Sequence, residues 1–521
     1  MSARGRYSTR WSAPAWGAIG LAAAFIGLSC WWLSQDRSIP IYDAGDHLWG
    51  ALYFHQLLAH GNLLGPFDYT WQYPPLGHLV GAFAVFIGGV NVASPIIGEN
   101  LVFASLLTLG CYQTGKLLFG ASAGMLAAAF ALGSPLLIAQ FHVFMLDAPE
   151  TALVAVSIWL LLASRQFASV PMSALAGLAV AAGLQMKVQF PFFVLGIGLS
   201  ALLLGGWRNW RGLLAFTAVT VALGSPWYLA HLSELKEIER LAGSSSGAIA
   251  SQLPPTFSLE NLTWYLWTIL NSQLLAPLFA LLVVGFAWTL VRLTRHREER
   301  SSARLQFLAG GVLAWVAISL TPHHDLRYGM PLLPYLAVMA TGWIPGAPLA
   351  ARRIAIAVLI AGVALNTLGT TFGSGGEVTV GIGASASSTY VLPPSVLVVS
   401  DKGYLVAGPS RDGDVPGLLQ ALRRNGVHTV SSAIQESAGP DFSFEGLEAL
   451  ALIAGIHYQV TQALGFNPSP AAAVLVHRPL AAGGTRPCVT LSDGTGVFVV
   501  RAHPPAKELS LYCPYPRSHY Y

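Results

Sequence analysis

Charge is scarce in this chain: only 10% of its 521 residues are charged, whereas 54% are hydrophobic. Such a composition excludes an ordinary soluble protein and indicates a membrane protein. The formal net charge of +4 is small for this length, so a nucleic-acid partner is not indicated. Acidic residues are rarest in the loops predicted to face the cytoplasm, where only Glu298 and Glu299 occur. Any carboxylate chemistry should therefore face outward.

Several catalytic motifs are also missing. The chain has no P-loop for a nucleotide, no glycine-rich dinucleotide fingerprint at its start and no GxSxG nucleophile elbow. Cysteine is scarce, with 4 residues, and Cys30 and Cys111 fall in apolar helices. Cys488 and Cys513 fall in the tail and can pair if that region faces an oxidising compartment.

Long apolar runs are abundant, and they predict a mainly α, polytopic membrane helix bundle. About eleven spans are expected, at residues 12–34, 97–118, 121–139, 148–164, 171–186, 190–206, 212–230, 272–292, 305–320, 330–348 and 354–371. The first span follows a basic tail and is expected to remain as a signal anchor. Basic residues then concentrate on the cytoplasmic side when the N-terminus lies there.

Two domains are predicted: a transmembrane module over residues 1–371, with an outer loop over 35–96, and a soluble extracytoplasmic α/β domain over 372–521. In the second domain, strand-like runs alternate with helical runs, namely Val396–Ser400, His428–Ser432, Ala473–His477 and Val497–Arg501 with Val415–Arg424 and Phe444–Gly455. The short apolar run 75–90 is interpreted as juxtamembrane or re-entrant, because counting it as a span would place the arginine-rich loop outside.

The outer loop is unusually rich in carboxylates for a loop beside a membrane. Asp43, Asp46 and Asp68 occur there, together with His47 and the run that begins at Tyr73. A carboxylate held near the membrane surface can accept the proton of a hydroxyl group during group transfer. The loop is therefore a candidate reaction site, with Asp43 as the candidate base.

Three later positions in outer turns complete the candidate site. Asp147 opens a predicted helix, where it can be a functional acid or simply an N-cap. Lys187 stands between two apolar helices, where it can bind a lipid phosphate or extend to the interface. Arg327 has a planar guanidinium that suits a phosphate.

The loop around Arg327 also raises the question of a metal. His323, His324 and Asp325 can together bind a divalent metal. Adjacent ligands do not, however, make a recognised metal signature. A divalent metal is thus an alternative that the sequence does not require, and the cofactor is otherwise unknown.

In order and spacing these motifs resemble the GT-C membrane glycosyltransferases, and in particular the protein O-mannosyltransferase and aminoarabinose-transferase (ArnT) group. The resemblance covers about residues 12–371. It rests on the early aspartate, the Tyr-Pro-Pro-Leu run, Met-Leu-Asp at a helix start, Gly-x-x-x-Lys and Arg-Tyr-x-x-Pro-x-x-Pro. It implies an inverting transferase that moves a sugar from a polyprenyl-phosphate donor to an acceptor hydroxyl on the extracytoplasmic side.

The resemblance also assigns residues. Asp43 and Asp147 match the two essential acids, Lys187 the lysine after the glycine-rich helix, and Arg327 the arginine of the Arg-Tyr motif. Ala44 stands where the family usually has a second acid, and Asp46 is the candidate substitute. The lysine that often precedes Pro-Pro-Leu is absent. His47, Tyr73 and Tyr328 are expected sugar or loop contacts.

The expected partners are a polyprenyl-phosphate sugar, an acceptor that is a protein, a lipid or a glycan, and the lipids of the inner (plasma) membrane. Two other functions stay open. One is a flippase or transporter of lipid-linked sugars, although the ionisable residues collect at the surface instead of the midplane. The other is a catalytically inactive GT-C scaffold, for which Ala44 is the argument.

Overall fold

Helices make up most of the part of the chain that the computed structural model describes. The described residues are 12–69, 73–236, 257–295, 301–321, 324–373, 409, 414–434, 444–460, 472–479, 487–490 and 495–501. The transmembrane module contains the helices α1 (Ala13–Gln35), α2 (Asp43–Ala59), α3 (Gly65–Asp68), α4 (Leu76–Gly88), α5 (Ala93–Glu99), α6 (Ser105–Phe119), α7 (Ala121–Leu132), α8 (Pro135–His142), α9 (Asp147–Ala163), α10 (Val170–Leu184), α11 (Pro191–Leu203), α12 (Trp210–Gly224), α13 (Pro226–Ala230), α14 (Leu259–Thr268), α15 (Leu275–Arg295), α16 (Ser302–Ser319), α17 (Leu333–Thr341) and α18 (Leu349–Phe372). Two π-helical turns, Asn100–Ala104 and Ile269–Leu274, join α5 to α6 and α14 to α15.

Each predicted span coincides with one or more helices. Among the described residues, five stretches are long and apolar enough to cross a membrane: Ala13–Gln35, Ala93–Phe119, Asn261–Arg295, Ser302–Ser319 and Leu349–Phe372. A sixth candidate is the pair α7 and α8, bent by 62°. The chain is thus a multi-pass helical membrane protein, as expected, while the number of eleven spans stays a prediction.

The bend between α7 and α8 has a local cause. Pro135 is the first residue of α8, where a missing N–H costs no helical hydrogen bond, and Ser134 caps the helix by accepting from the Leu137 amide. The freed carbonyl of Gly133 accepts a hydrogen bond from Asn366 Nδ2 at 2.8 Å. The broken backbone is therefore satisfied by a neighbouring helix.

The short apolar run 75–90 forms α4, which packs between α2 and α5. Gly50 of α2 makes room for the His78 ring, because a Cβ at Gly50 would lie 2.9 Å from it. His78 Nε2 then lies 3.1 Å from His47 Nδ1 of α2. These contacts fix α2, which begins at Asp43, against α4.

The C-terminal domain is α/β, as predicted. It contains α19 (Val415–Arg424), α20 (Phe444–Ala454) and the strands β1 (Thr429–Ile434), β2 (His457–Val460), β3 (Ala472–Pro479), β4 (Val489–Thr490) and β5 (Thr495–Arg501). The sheet order is β2-β1-β3-β5-β4, with β1 parallel to β2 and β3, and β5 antiparallel to β3 and β4. The expected strand Val396–Ser400 lies outside the described residues, as does Cys513, so its pairing with Cys488 stays a prediction.

The C-terminal domain packs directly on α2 through α20. The two helices approach at two glycines, since a Cβ on Gly45 would meet the backbone nitrogen of Gly446. Ile39, just before α2, is buried in the core of the C-terminal domain, and Ala449 is buried among side chains of α2 and α5. Each region thus buries an apolar side chain in the other, and residues 35–96 share a packed interface with the C-terminal domain.

Candidate active site

Asp147 and Lys187 form a buried ion pair. Lys187 Nζ lies 2.6 Å from Asp147 Oδ1, and their side chains are 6% and 1% exposed. Leu146 occupies the N-cap position of α9, so Asp147 is the first helical residue and its carboxylate points to Lys187. Lys187 does not extend toward the surface, because it is buried with its ammonium 5.2 Å from the centre of the Tyr328 ring. Asp147 is therefore not merely an N-cap, and Lys187 is not merely an anchor at the interface, because the two form one buried charge pair.

A second cation reaches the same carboxylate from another segment. Arg327 Nη1 lies 4.0 Å from Asp147 Oδ2, and the arginine side chain is 5% exposed. Its other edge is held by Asp325, which accepts from Nε at 3.2 Å and from Nη2 at 3.0 Å. Asp325 also accepts from the backbone N–H of Arg327 at 2.9 Å, closing a local turn. The guanidinium is thereby fixed in plane and direction.

Asp43 completes the charge cluster from the start of α2. Its Oδ2 accepts from Arg327 Nη1 at 2.8 Å. Unlike the other members it is 41% exposed. The structure thus brings Asp43, Asp147, Lys187 and Arg327 together from four separate parts of the sequence, and only Asp43 reaches water to this extent. We call these four residues together with Asp325 the charge cluster.

Asp46 lies on the same helix but in a different environment. Partial burial, together with the carboxylates of Glu445, Asp43 and Glu448, raises the pKa of Asp46 to about 7. Two of these neighbours, Glu445 and Glu448, belong to α20 of the C-terminal domain. Asp46 therefore lies at the interface between the two domains, and a carboxyl that titrates near pH 7 is suited to proton transfer.

His47 and Tyr73 pack together beside Lys187 of the charge cluster. Their ring centres are 4.7 Å apart, edge to face. Burial lowers the pKa of His47 well below its usual range, and His78, Lys187 and Arg327 add to the effect. Burial raises the pKa of the Tyr73 phenol. Both side chains therefore stay neutral, and the phenol of Tyr73 lies near Lys187.

The expected metal ligands are used otherwise where the structure describes them. Both oxygens of Asp325 accept hydrogen bonds from Arg327. His324 packs against the rings of Trp264 and Tyr265, at 4.9 and 5.4 Å. Within the described residues no three His, Cys, Asp or Glu side chains are grouped to hold a metal. His323 lies outside those residues, so the metal stays an untested alternative.

The structure adds one acid that the sequence reasoning missed. Glu150 lies one turn after Asp147 and is fully buried, and its Oε2 accepts from Gln189 Nε2 at 3.0 Å. The Asp147–Lys187 and Glu150–Gln189 contacts thus run side by side and join α9 to the turn before α11. The spacing of three residues between Asp147 and Glu150 was the available signal, because such residues share one helix face.

A family model supports the resemblance over part of the chain. Residues 72–227 match the dolichyl-phosphate-mannose-protein mannosyltransferases. The matched segment contains Tyr73, Asp147 and Lys187, whereas Asp43 and Arg327 lie outside it. A comparison with curated protein sequences gives no match.

Solved structures extend the comparison to the fold. The crystal structure of ArnT from Cupriavidus metallidurans in the apo state is 15% identical with a TM-score of 0.50, covering 67% of this chain and 64% of ArnT. This chain has the GT-C glycosyltransferase fold. The same ArnT bound to undecaprenyl phosphate is 16% identical, with a TM-score of 0.50 and the same coverage. An oligosaccharyltransferase from Archaeoglobus fulgidus, crystallised with Zn and sulfate, is 12% identical with a TM-score of 0.49, covering 85% of this chain and 62% of that one.

The chain spans slightly less than two thirds of the ArnT structure, 64% of its length. At identities of 15 and 16% the likeness concerns the fold. Chemical roles for Asp43, Asp147, Lys187 and Arg327 therefore have to be argued from their own geometry.

Proposed function

We propose that this GT-C protein is an inverting glycosyltransferase that moves a sugar from a polyprenyl-phosphate donor to an acceptor hydroxyl on the extracytoplasmic side of the membrane. The observation that carries the proposal is the contact of a partly exposed carboxylate, Asp43, with a buried arginine, Arg327. A base that is open to an acceptor thereby lies next to a cation that suits a phosphate.

In this mechanism Asp43 accepts the proton of the acceptor hydroxyl. The acceptor oxygen forms a bond to the anomeric carbon while the bond from that carbon to the phosphate oxygen breaks. The polyprenyl phosphate leaves as an anion with the electron pair of the broken bond. A single displacement of this kind inverts the anomeric configuration, and it leaves the proton on Asp43 and the sugar on the acceptor.

Arg327 and Lys187 are proposed to stabilise the departing phosphate. Their charges are fixed and largely removed from water, so the cations need little reorganisation as negative charge grows on the leaving group. Arg327 is the better placed for direct contact, since its Nη1 already binds a carboxylate at 2.8 Å. Lys187 is paired with Asp147 at 2.6 Å, so its charge acts on the phosphate from a greater distance.

Asp147 is proposed to keep the two cations together. Lys187 and Arg327 carry the same charge, and each approaches a different oxygen of this carboxylate. Without Asp147 the two cations would repel each other in a poorly hydrated site. Asp46 is the second candidate base, because it lies on the same helix as Asp43 and has a pKa of about 7.

The donor class is supported by the fold and by the setting. ArnT, which has the same fold, binds undecaprenyl phosphate, and the charge cluster here lies at the ends of apolar helices that can accommodate a prenyl chain. The acceptor is a protein, a lipid or a glycan that reaches the exposed side of Asp43. Because α20 packs on α2, the C-terminal domain is placed to select it.

The test is transfer of labelled sugar from a panel of polyprenyl-phosphate sugars to membrane extract. Purified wild type should transfer from at least one donor, and Asp43→Asn should not, because the amide cannot accept the proton. Asp68→Asn is the matched control, since it removes an exposed carboxylate from the same loop. Equal transfer by wild type and Asp43→Asn would refute the role of Asp43. Absence of transfer by the wild type with every donor would favour a transporter or an inactive scaffold.

A further inference from the structure

The guanidinium of Arg327 has one edge occupied and one nitrogen turned to the reaction site. Asp325 accepts from Nε and Nη2 at 3.2 and 3.0 Å and so covers the first edge. Nη1 donates to Asp43 at 2.8 Å and lies 4.0 Å from Asp147. The group that the proposed function assigns to the donor phosphate is therefore already paired with the proposed base.

We infer that Asp43 and the donor phosphate bind Arg327 Nη1 in turn, and that Asp325 is the positioning residue that keeps this nitrogen directed at the site. The inference rests on the proposed function and adds an order of events to it. Without donor, the Asp43 carboxylate pairs with Arg327. A phosphate at Nη1 displaces it, and the released carboxylate is then free to accept a proton from the acceptor.

The burial of the three carboxylates indicates which one leaves. Asp147 is 1% exposed and is also held by Lys187 at 2.6 Å. Asp325 is held by three hydrogen bonds within its own turn. Asp43 is 41% exposed and can be hydrated when it moves away. A carboxylate that returns to water loses little, whereas a buried one would lose its charge partner at high cost.

Charge balance supports the same order. The cluster holds three carboxylates, from Asp43, Asp147 and Asp325, against the two cations Lys187 and Arg327. An added phosphate would raise the negative excess if Asp43 kept its place. When Asp43 leaves Nη1, one anion replaces another beside the arginine, and the excess of negative charge there stays small. The base is thus set free only when the sugar donor is present.

Binding of undecaprenyl phosphate to the purified full chain tests the inference without any turnover. Asp43→Asn removes a competitor for Nη1, so its affinity should rise by roughly threefold to fivefold, the effect expected for a partly exposed ion pair. Asp68→Asn is the matched control, because it removes an exposed carboxylate from residues 35–96. Its affinity should stay within twofold of wild type.

A double-mutant cycle gives the second measurement. In an Arg327→Gln background the additional Asp43→Asn change should no longer raise affinity, because the shared nitrogen is gone. Asp325→Asn should weaken binding of undecaprenyl phosphate, whereas Asp325→Glu should keep it, because only glutamate supplies a carboxylate that can pair with the guanidinium of Arg327. Equal or weaker binding by Asp43→Asn, or the same gain in the Arg327→Gln background, would overturn the inference, as would no binding to either protein. Absence of transfer by the wild type from every donor, with the gain in affinity of Asp43→Asn intact, would refute the proposed function alone.

Discussion

Asp43 and Asp46 lie one turn apart on the same helix, but their carboxylates meet opposite surroundings. Asp43 accepts from a buried arginine at 2.8 Å. Asp46 faces Glu445 and Glu448 of the C-terminal domain, and its pKa rises to about 7. The first turn of α2 therefore begins in a region of paired charges and ends in a region of crowded carboxylates.

The difference shows that neighbours decide what a carboxylate can do. In the charge cluster, Lys187 and Arg327 compensate the buried Asp147, and its negative charge is kept where phosphate chemistry would need fixed charges. At the domain interface Asp46 is partly buried beside Glu445 and Glu448, so burial and repulsion favour the protonated form of Asp46. Substitutions in the charge cluster should accordingly lower stability or transfer, whereas those in the acidic region should change the pH dependence of stability.

The largest effect is expected from Lys187→Met. It leaves the carboxylate of Asp147 buried beside Arg327 alone, and breaking a buried pair in this way costs about 3–5 kcal/mol of the free energy of unfolding. Thermal unfolding in detergent measures the loss. Lys116→Met is the matched control, because Lys116 is an exposed helical lysine and should change stability by less than about 0.5 kcal/mol. Equal unfolding temperatures of the two variants would contradict a structural role for the buried pair.

A smaller loss, in activity more than in stability, is expected from Arg327→Lys. The positive charge remains, but the fork that Asp325 holds in plane is lost, so stabilisation of the leaving phosphate should fall. Sugar transfer should drop by about 100-fold, the usual effect of removing one aligned donor from a transition state. The exposed Arg353 offers the control Arg353→Lys, which should transfer at the wild-type rate. Wild-type transfer by Arg327→Lys would mean that a point charge suffices.

The sequence predicted the general architecture well because its signals are local. Apolar runs of spanning length located the helices that coincide with the eleven predicted spans, and alternation of strand and helix patterns located the α/β domain. The helix α2 was missed, because its residues lie in the segment predicted as a loop. The strands His457–Val460 and Val489–Thr490 were missed because so few residues show no clear alternation. The bend between α7 and α8 was also missed, since a Ser-Pro pair inside an apolar run does not interrupt its hydropathy.

The site was predictable in its members but not in its pairings. Asp43, Asp147, Lys187 and Arg327 carried a signal because ionisable residues beside membrane-spanning helices are rare. Which carboxylate meets which cation depends on tertiary packing over long separations, such as that between Asp43 and Arg327. From the sequence alone, Asp325 can be either a metal ligand or the partner of Arg327. The hydrogen bonds in the structure favour the pairing with Arg327. The contact of α20 with α2 had no sequence signal at all.

The contact of α20 with α2 leads to a third prediction: alanine should change stability in opposite directions at two glycines. Alanine normally stabilises a helix relative to glycine by about 1 kcal/mol. Gly198→Ala should do so, because the space around it is open. Gly446→Ala should instead destabilise by about 1–3 kcal/mol, since its Cβ would meet the backbone carbonyl of Pro40. Hydrogen exchange of the α2 amides should rise in Gly446→Ala only. Protection equal to that of the wild type would show that the domains do not need this close approach.

The smallest effect is a pH dependence that belongs to the acidic region alone. The folded pKa of Asp46, about 7, lies above the ordinary value of 3.8, so its contribution to stability is fully present below about pH 4 and is lost as the pH rises through 7. Asp46→Asn should abolish this loss, and between pH 5 and pH 8 its unfolding temperature should gain roughly 2–4 °C on the wild type. The gain is modest because the group is partly exposed. Asp68→Asn should keep the wild-type slope. If Asp46→Asn kept it too, titration of the Asp46 carboxyl would not cause the pH dependence, and the contrast between Asp43 and Asp46 would fail.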